Sequence, residues 1–386
     1  MLFEKLIQYE NMLYGDNAEF FALDIVDIDF WIDKITHLPR YRPFLLNNVI
    51  KLCEEYIQNP LFKSKLLTMS LKLCPVIIYR LFMRGIYLFD EIFEELDTFH
   101  RTACFYFREL IPMDHKLYHK MQKSPDFALI NTENNKTVEM MIEYGFLPGT
   151  IEYSLKYDDI ECLTRHSSSF NISNGIKAQW CIFEWAEMPR FLDFLSFAGY
   201  YGSIQCFKYL LINGFEINSC VSQNVACGGC FDLVHMCLKF DHDDSQMIRM
   251  ASHFCRFSIL KYFVENGADI NINNEINISQ PIHIASQCGF ISIVDFLIKN
   301  GANINSDCME DEIGTPLQVS IVSRRFYIVQ YLLEKRANIN QISRYRATST
   351  ALFTAISIMD YNVVKYLIEK GADIMVKDSQ FFGLNS

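Results

Sequence analysis

A short pattern recurs near the end of this 386-residue chain, and its spacing constrains the fold more than any other feature. In each copy an apolar, helix-like run closes on a stop residue, which is followed by Ala, then Asp or Asn, then Ile. The stop residues are Gly267, Gly301, Arg336 and Gly371, and they lie 34, 35 and 35 residues apart. A fixed period of this length indicates stacked supersecondary units that share one continuous core.

Each unit has the pattern of two helices and a turn. In the clearest copy, Pro281 marks a helix start, Gly289 a turn, and Gly301 the end of a second amphipathic helix. Glycine suits a helix end because the chain there adopts the left-handed conformation. Arg336 takes this position in one copy, so we expect its helix end to be strained or capped differently.

Three helix starts carry a second motif. They read QPIHIA from Gln280, TPLQVS from Thr315 and TALFTA from Thr350. These runs resemble the T-P-L-H-x-A motif of ankyrin repeats, strongly over residues 257–375 and more weakly over 131–256. The arrangement is similar to divergent, protist-type ankyrin proteins, in which short degenerate repeats precede regular ones. The resemblance implies an all-α fold, an ankyrin-repeat α-solenoid of stacked helix–turn–helix pairs.

The chain divides by pattern into three parts. Residues 1–120 predict an irregular all-helical region, residues 131–256 divergent short repeats, and residues 257–386 regular repeats. An overlong interval before Gly214 contains Trp180 and Trp185. These tryptophans indicate either an extra helix packed on the array or an exposed aromatic anchor for a partner.

Composition excludes several classes of protein. Half of the residues are apolar, 21% are charged, and the net charge is −11, which disfavours a partner bound through nucleic-acid phosphates. The start of the chain lacks a signal-peptide pattern, and the apolar stretch Leu71–Phe89 is interrupted by charges and proline. We therefore expect a soluble, cytoplasmic protein without a membrane span. The 13 cysteines lack framework spacing and predict buried thiols.

Several residues could carry chemistry, but a structural role explains each better. Cys227 and Cys230 form a CxxC pair, with Cys220 and Cys237 nearby, yet the repeat register places them at turn and core positions. His283 occupies the motif's histidine position, for which the resemblance implies structural hydrogen bonds. The remaining candidates are the pair His115 and His119 and the acidic cluster Asp24, Asp27, Asp29 and Asp33. We expect no catalytic, cofactor-binding or metal-binding residue; a thiol- or metal-dependent enzyme is the less favoured alternative.

Function follows from the resemblance rather than from the spacing. Ankyrin arrays bind other proteins through hairpin tips and the exposed face of the first helices, which implies a non-enzymatic interaction scaffold or adaptor with an unidentified protein partner. The predicted tip residues are Asn273, Asn274, Glu275, Asp307, Asp311, Glu312, Arg344, Tyr345 and Arg346. An alternative is a ligase-type adaptor that recruits a second machine through residues 1–120. We also expect self-association through the C-terminal repeat edge, where Val364, Tyr366, Leu367 and Ile368 would be partly uncovered.

Overall fold

The computed structural model describes residues 2–14, 28–96, 101–124, 127, 135–167, 193–240, 244–271, 279–308, 314–343 and 350–375. Every regular element in these ranges is a helix, and the β-structure there is one isolated bridge between Cys308 and Gly314. The prediction of an all-α fold is confirmed. Trp180, Trp185 and most predicted tip residues lie outside the described ranges.

Two compact units make up the fold. One comprises Glu19–Asp241, and the other joins Met1–Ala18 to His242–Ser386. The predicted N-terminal region, residues 1–120, is thus divided, because residues 1–18 group with the C-terminal repeats. Each unit is described separately below.

The unit 19–241 starts with a helical region and continues as helix pairs. Its helices are α2 (Ile28–Tyr41), α3 (Leu46–Tyr56), α4 (Pro60–Leu73), α5 (Pro75–Met83), α6 (Phe89–Leu96), α7 (Arg101–Tyr106), α8 (Lys116–Gln122), α9 (Asn135–Tyr144), α10 (Ile151–Tyr157), α11 (Ile160–Arg165), α12 (Phe194–Tyr201), α13 (Ile204–Ile212), α14 (Ser219–Gly228) and α15 (Phe231–Cys237). The boundaries follow local signals: Asn59 accepts hydrogen bonds from the first turn of α4, and Pro60 begins it. Gly85 follows α5 with φ 73°, the left-handed conformation that favours glycine at a helix end.

The second unit contains α1 (Leu2–Tyr14) and four helix pairs. These pairs are α16 (Asp244–His253) with α17 (Phe257–Glu265), α18 (Pro281–Cys288) with α19 (Ile291–Lys299), α20 (Pro316–Val322) with α21 (Phe326–Glu334), and α22 (Ala351–Ser357) with α23 (Tyr361–Glu369). The first helix of each pair packs against the first helix of the next pair as well as against its own second helix. The result is an array in which successive helix pairs bury apolar faces against one another.

A left-handed residue marks the turn inside each described helix pair and fixes the register of the repeats. These residues are Asp158, Gly202, Gly229, Cys255, Gly289, Arg324 and Met359, all with φ between 51° and 81°. The last three intervals are 34, 35 and 35 residues, whereas the two before them are 27 and 26. From Gly202 to Cys255 the helix pairs therefore use the same turn geometry with less chain between turns, whereas 44 residues separate Asp158 from Gly202.

An asparagine ladder explains the recurring Asx-Ile-Asn pattern. The Asn271 side-chain oxygen accepts from the backbone N–H of Asn303 at 2.8 Å, and Asn305 accepts from Asn338 in the same way. Asn340 accepts from Asp373, which repeats the bond a third time. The short asparagine side chain reaches the next repeat, where its oxygen satisfies a backbone donor.

Arg336 shows the strain that its position predicts. It adopts φ 65°, where the equivalent residues Gly301 and Gly371 have φ 90° and 89°. The closing hydrogen bond is unchanged, since Ala337 donates to Leu332 at 2.9 Å as Ala302 donates to Leu297. A non-glycine residue in this conformation costs about 1–2 kcal/mol.

We therefore expect Arg336→Gly to raise the free energy of unfolding by roughly 1 kcal/mol, because the strain is removed while the hydrogen bonds remain. Urea denaturation followed by circular dichroism measures the change. Gly301→Ala is the matched control: no atom would lie within 4 Å of the added Cβ, so only its φ of 90° opposes the substitution. It should lower stability by a similar amount, and a stabilising Gly301→Ala would contradict the argument.

Candidate partner-binding surface

The predicted hairpin tips are described at one residue. Asp307 is exposed, whereas the other eight tip residues lie outside the described ranges. The exposed face of the first helices is smaller than the resemblance implies. Helix α18 exposes Gln287 and α20 exposes Val322, while Ile284 and Val319 are 7% and 4% exposed. Little of these two helices is therefore open to a partner.

An N-terminal helix covers part of the face formed by the second helices, which the sequence did not predict. Helix α1 packs against α19, although about 280 residues of sequence separate the two. Its buried residues are Leu6, Tyr9, Glu10, Leu13 and Tyr14, and its exposed residues are Glu4, Lys5, Gln8 and Asn11. This is the spacing of an amphipathic helix with one face on the core. Burial of each apolar side chain on this face, such as Leu6 or Leu13, stabilises the folded state by roughly 1.5–3 kcal/mol.

Three contacts along α1 define its register on the array. The ring of Phe3 meets Tyr331 edge-on with centroids 5.2 Å apart, and Tyr14 meets Phe290 at 5.1 Å. Between them, the fully buried Glu10 carboxylate accepts from the Ser292 backbone N–H at 2.6 Å and from its hydroxyl at 2.7 Å. Ser292 lies in the first turn of α19, so Glu10 places a negative charge at the positive end of that helix.

Sequence reasoning missed this contact, although a signal was present. The helical region predicted over residues 1–120 includes α1, and Glu10 lies on the same face of this helix as Leu6, Leu13 and Tyr14. A charge within an apolar stripe indicates a polar partner on the opposing surface. Nothing in the sequence identifies Ser292 as that partner.

The face of the array beside α1 is polar as well as apolar. Asp295 on α19 is 6% exposed, accepts from the Tyr331 hydroxyl at 2.5 Å, and forms an ion pair with Lys299 at 2.6 Å. Lys335 lies 3.9 Å from the same carboxylate, with its ammonium 5.2 Å from the Tyr331 ring centroid. Burial, together with the bond to Asp295, raises the pKa of the Tyr331 phenol above its usual range.

A groove continues this face beyond Phe3. It encloses about 260 Å³ and is lined by Phe3, Gln330, Leu333, Glu334, Tyr366 and Lys370. The Lys370 ammonium lies 5.4 Å from the Tyr366 ring centroid, and Phe326 packs edge-on against Tyr366 at 5.4 Å. The groove thus combines an apolar floor with one acidic and one basic side chain, a composition suited to a peptide.

The C-terminal edge of the array is partly exposed, and one of the four residues expected to be exposed there is buried. Ile368 is 50% exposed, and Val364 and Tyr366 are half-buried, as predicted, but Leu367 is fully buried. Leu367 and Val363, four residues apart, form the buried stripe of α23, which packs on α22. Leu367 therefore belongs to the repeat's own core.

The cysteine pair has the character of a core element. Cys227 is 4% exposed, and burial raises the pKa of its thiol, which opposes nucleophilic or redox chemistry. Gly228 allows α14 to approach α12: a Cβ there would lie 2.3 Å from the Gly199 carbonyl oxygen. Cys230 precedes α15 after the left-handed Gly229. The CxxC spacing therefore reflects close helix packing and a turn.

The paired histidines have separate roles. His115 caps α8, since its Nδ1 accepts from the Leu117 N–H at 3.2 Å, and His119 contacts Gln122 at 3.3 Å. In the acidic cluster, Asp29 pairs with Lys65 and Asp33 lies 3.5 Å from His37; Asp24 and Asp27 are outside the described residues. Within the described part of the chain, no group of three His, Cys, Asp or Glu is placed to hold a metal ion.

His283 is structural, as the resemblance implied. It is 1% exposed, and its Nε2 lies 3.1 Å from the Ser306 carbonyl oxygen, which ties α18 to the following loop. Burial lowers the pKa of this imidazole to about 4, although backbone hydrogen bonds oppose the shift. The ordinary value is about 6.5.

This shift predicts an acid-sensitive repeat. Between pH 6.5 and 4 the unfolded state binds a proton at His283 that the folded state does not, so stability is lost as the pH falls through that window, by roughly 3 kcal/mol in total. We expect His283→Gln to be less stable than the wild type at pH 7, with the difference narrowing towards pH 4. Denaturation across this range measures it, and a constant difference would show that His283 does not titrate there.

Comparison with known proteins supports the repeat register. A family model described as ankyrin repeats (3 copies) matches residues 247–343 and 282–378, which together extend from α16 to beyond α23. No curated protein matches the chain. Among the described residues, none of the helices has the length and apolar character needed to cross a membrane.

Proposed function

From the ankyrin repeats that this chain carries between residues 247 and 378, we propose that it is a non-enzymatic scaffold that binds a protein partner. Such repeats are protein–protein interaction modules. The match to this family is the observation that carries the proposal. The net charge of −11 favours a protein over a nucleic acid as the partner.

Two surfaces of the array are proposed to contact the partner. One is the set of hairpin tips, in which Arg344, Tyr345 and Arg346 are basic and aromatic. The other is the groove lined by Leu333 and Tyr366, whose apolar floor and charged rim match the anatomy of protein interfaces. Tyrosine and arginine are the residue types that most often dominate binding energy, so the tip at 344–346 is the first to test.

A photo-reactive benzoylphenylalanine at position 345, and separately at position 333, would identify the partner on the full-length chain. Position 83 is the matched control, since Met83 is 64% exposed in the other unit. We expect one protein to be cross-linked from an array position and not from position 83.

With that partner purified, Tyr345→Ala/Arg346→Ala should weaken binding at least tenfold, because truncation removes a predicted anchor and its charge. Arg165→Ala, an exposed arginine of the other unit, should leave the Kd unchanged. Calorimetry provides both values. An unchanged Kd for the double variant would remove this tip from the binding surface.

Self-association through the C-terminal repeat is a second candidate, favoured by apolar side chains on α23 and the turn before it. Met359 is 90% exposed, Tyr361 75% and Ile368 50%. We expect concentration-dependent dimerisation in sedimentation velocity, weakened at least tenfold by Met359→Ser/Tyr361→Ser. A wild-type chain that stays monomeric at all concentrations would refute this candidate.

A further inference from the structure

We propose that the outer face of α19 and α21 is a helix-binding surface, that α1 is its intramolecular occupant, and that a partner helix with the same anchors displaces α1. This inference rests on the proposed function, since it names a further surface of the array and the class of partner that binds it. The anchors are the two edge-on aromatic contacts and the Glu10 carboxylate between them.

Glu10 supplies to α19 from a distant segment the side-chain cap that α23 has locally and that α17 and α21 lack. Helix α23 is capped within its own repeat, because the Asp360 side chain accepts from the Val363 N–H at 3.2 Å. At α19 the corresponding position is Phe290, which makes no side-chain cap. The first turn of α19 thus offers a backbone N–H and the Ser292 hydroxyl to an incoming carboxylate. A buried charge of this kind fixes register more effectively than it adds stability.

The array retains its internal polar contacts without α1. If α1 left, Asp295 would keep the hydrogen bond from Tyr331 and the ion pair with Lys299, since all three residues belong to the repeats. The apolar interior of the array lies elsewhere, between the first helices, and includes residues such as Ile282, which is fully buried. Removal of α1 therefore exposes a mixed surface rather than the core, and the exchange of one helix for another does not require the repeats to unfold.

The geometry defines the chemistry of the competing partner. It is an amphipathic helix with a carboxylate directed at the first turn of α19, an aromatic side chain four residues later over Phe290, and another seven residues earlier over Tyr331. Lys299 and Lys335 both pair with Asp295, and their side chains are 68% and 37% exposed, so this cluster carries one positive charge in excess, which favours an acidic helix. Helices bind grooves in this way through anchors on one face.

The test uses full-length chains and a fluorescein-labelled peptide with the sequence of residues 2–14. Glu10→Ala/Tyr14→Ala weakens α1 and leaves the receptor face intact. In fluorescence anisotropy, we expect the peptide to bind this variant at least tenfold more tightly than the wild type, in which α1 occupies the surface. The same peptide carrying Glu10→Gln should bind the variant at least tenfold more weakly, because it loses the charge that faces the helix end.

Equal peptide binding by the variant and the wild type, with unchanged circular dichroism, would overturn the proposal. If the variant loses its helical circular dichroism signal, displacement of α1 is tested instead by fluorine NMR on the wild-type chain with 4-fluorophenylalanine at position 3. A second resonance on addition of unlabelled peptide supports displacement, and an unmoved resonance at millimolar peptide refutes it. Because no natural partner is needed, a negative result here leaves partner binding at the hairpin tips standing.

Discussion

Burial of short apolar helices against their neighbours is the constraint on which this structure depends. The helices of the regular repeats are 7 to 10 residues long, too short to be stable in isolation. Each first helix is covered by the first helices of the adjacent repeats and by its own second helix. The free energy of unfolding is therefore close to a sum of contributions from contacts between adjacent repeats, and residues on the outer surface contribute little to it.

The polar features of the repeats serve this stacking. The asparagine ladder joins successive hairpins at 2.8 Å, so backbone donors in adjacent repeats are satisfied by side chains rather than by a sheet. His283 ties its helix to the next loop and is kept neutral by burial. Asparagine and histidine can be catalytic residues in other proteins, but the hydrogen bonds of these residues give them structural roles here.

Helix α1 introduces a different kind of contact. Its apolar face resembles that of any surface helix, but the buried Glu10 makes its docking depend on one charge at one helix end. Such a contact tolerates few registers, and the face that it covers includes polar groups paired within the array. The proposed exchange of α1 for a partner helix rests on these two properties.

The sequence alone determined the helical class, the repeat period and the left-handed glycine stops, together with the unusual position of Arg336, because these follow from local periodicity and backbone sterics. The structural role of His283 was implied by the resemblance to ankyrin repeats. It indicated that the residues of α1 belong to a helical region. Only the tertiary structure decided that α1 lies on α19, that Ser292 receives Glu10, and that the first helices are nearly covered. These outcomes depend on contacts between residues far apart in the chain. The local sequence pattern does not specify which distant surfaces come into contact.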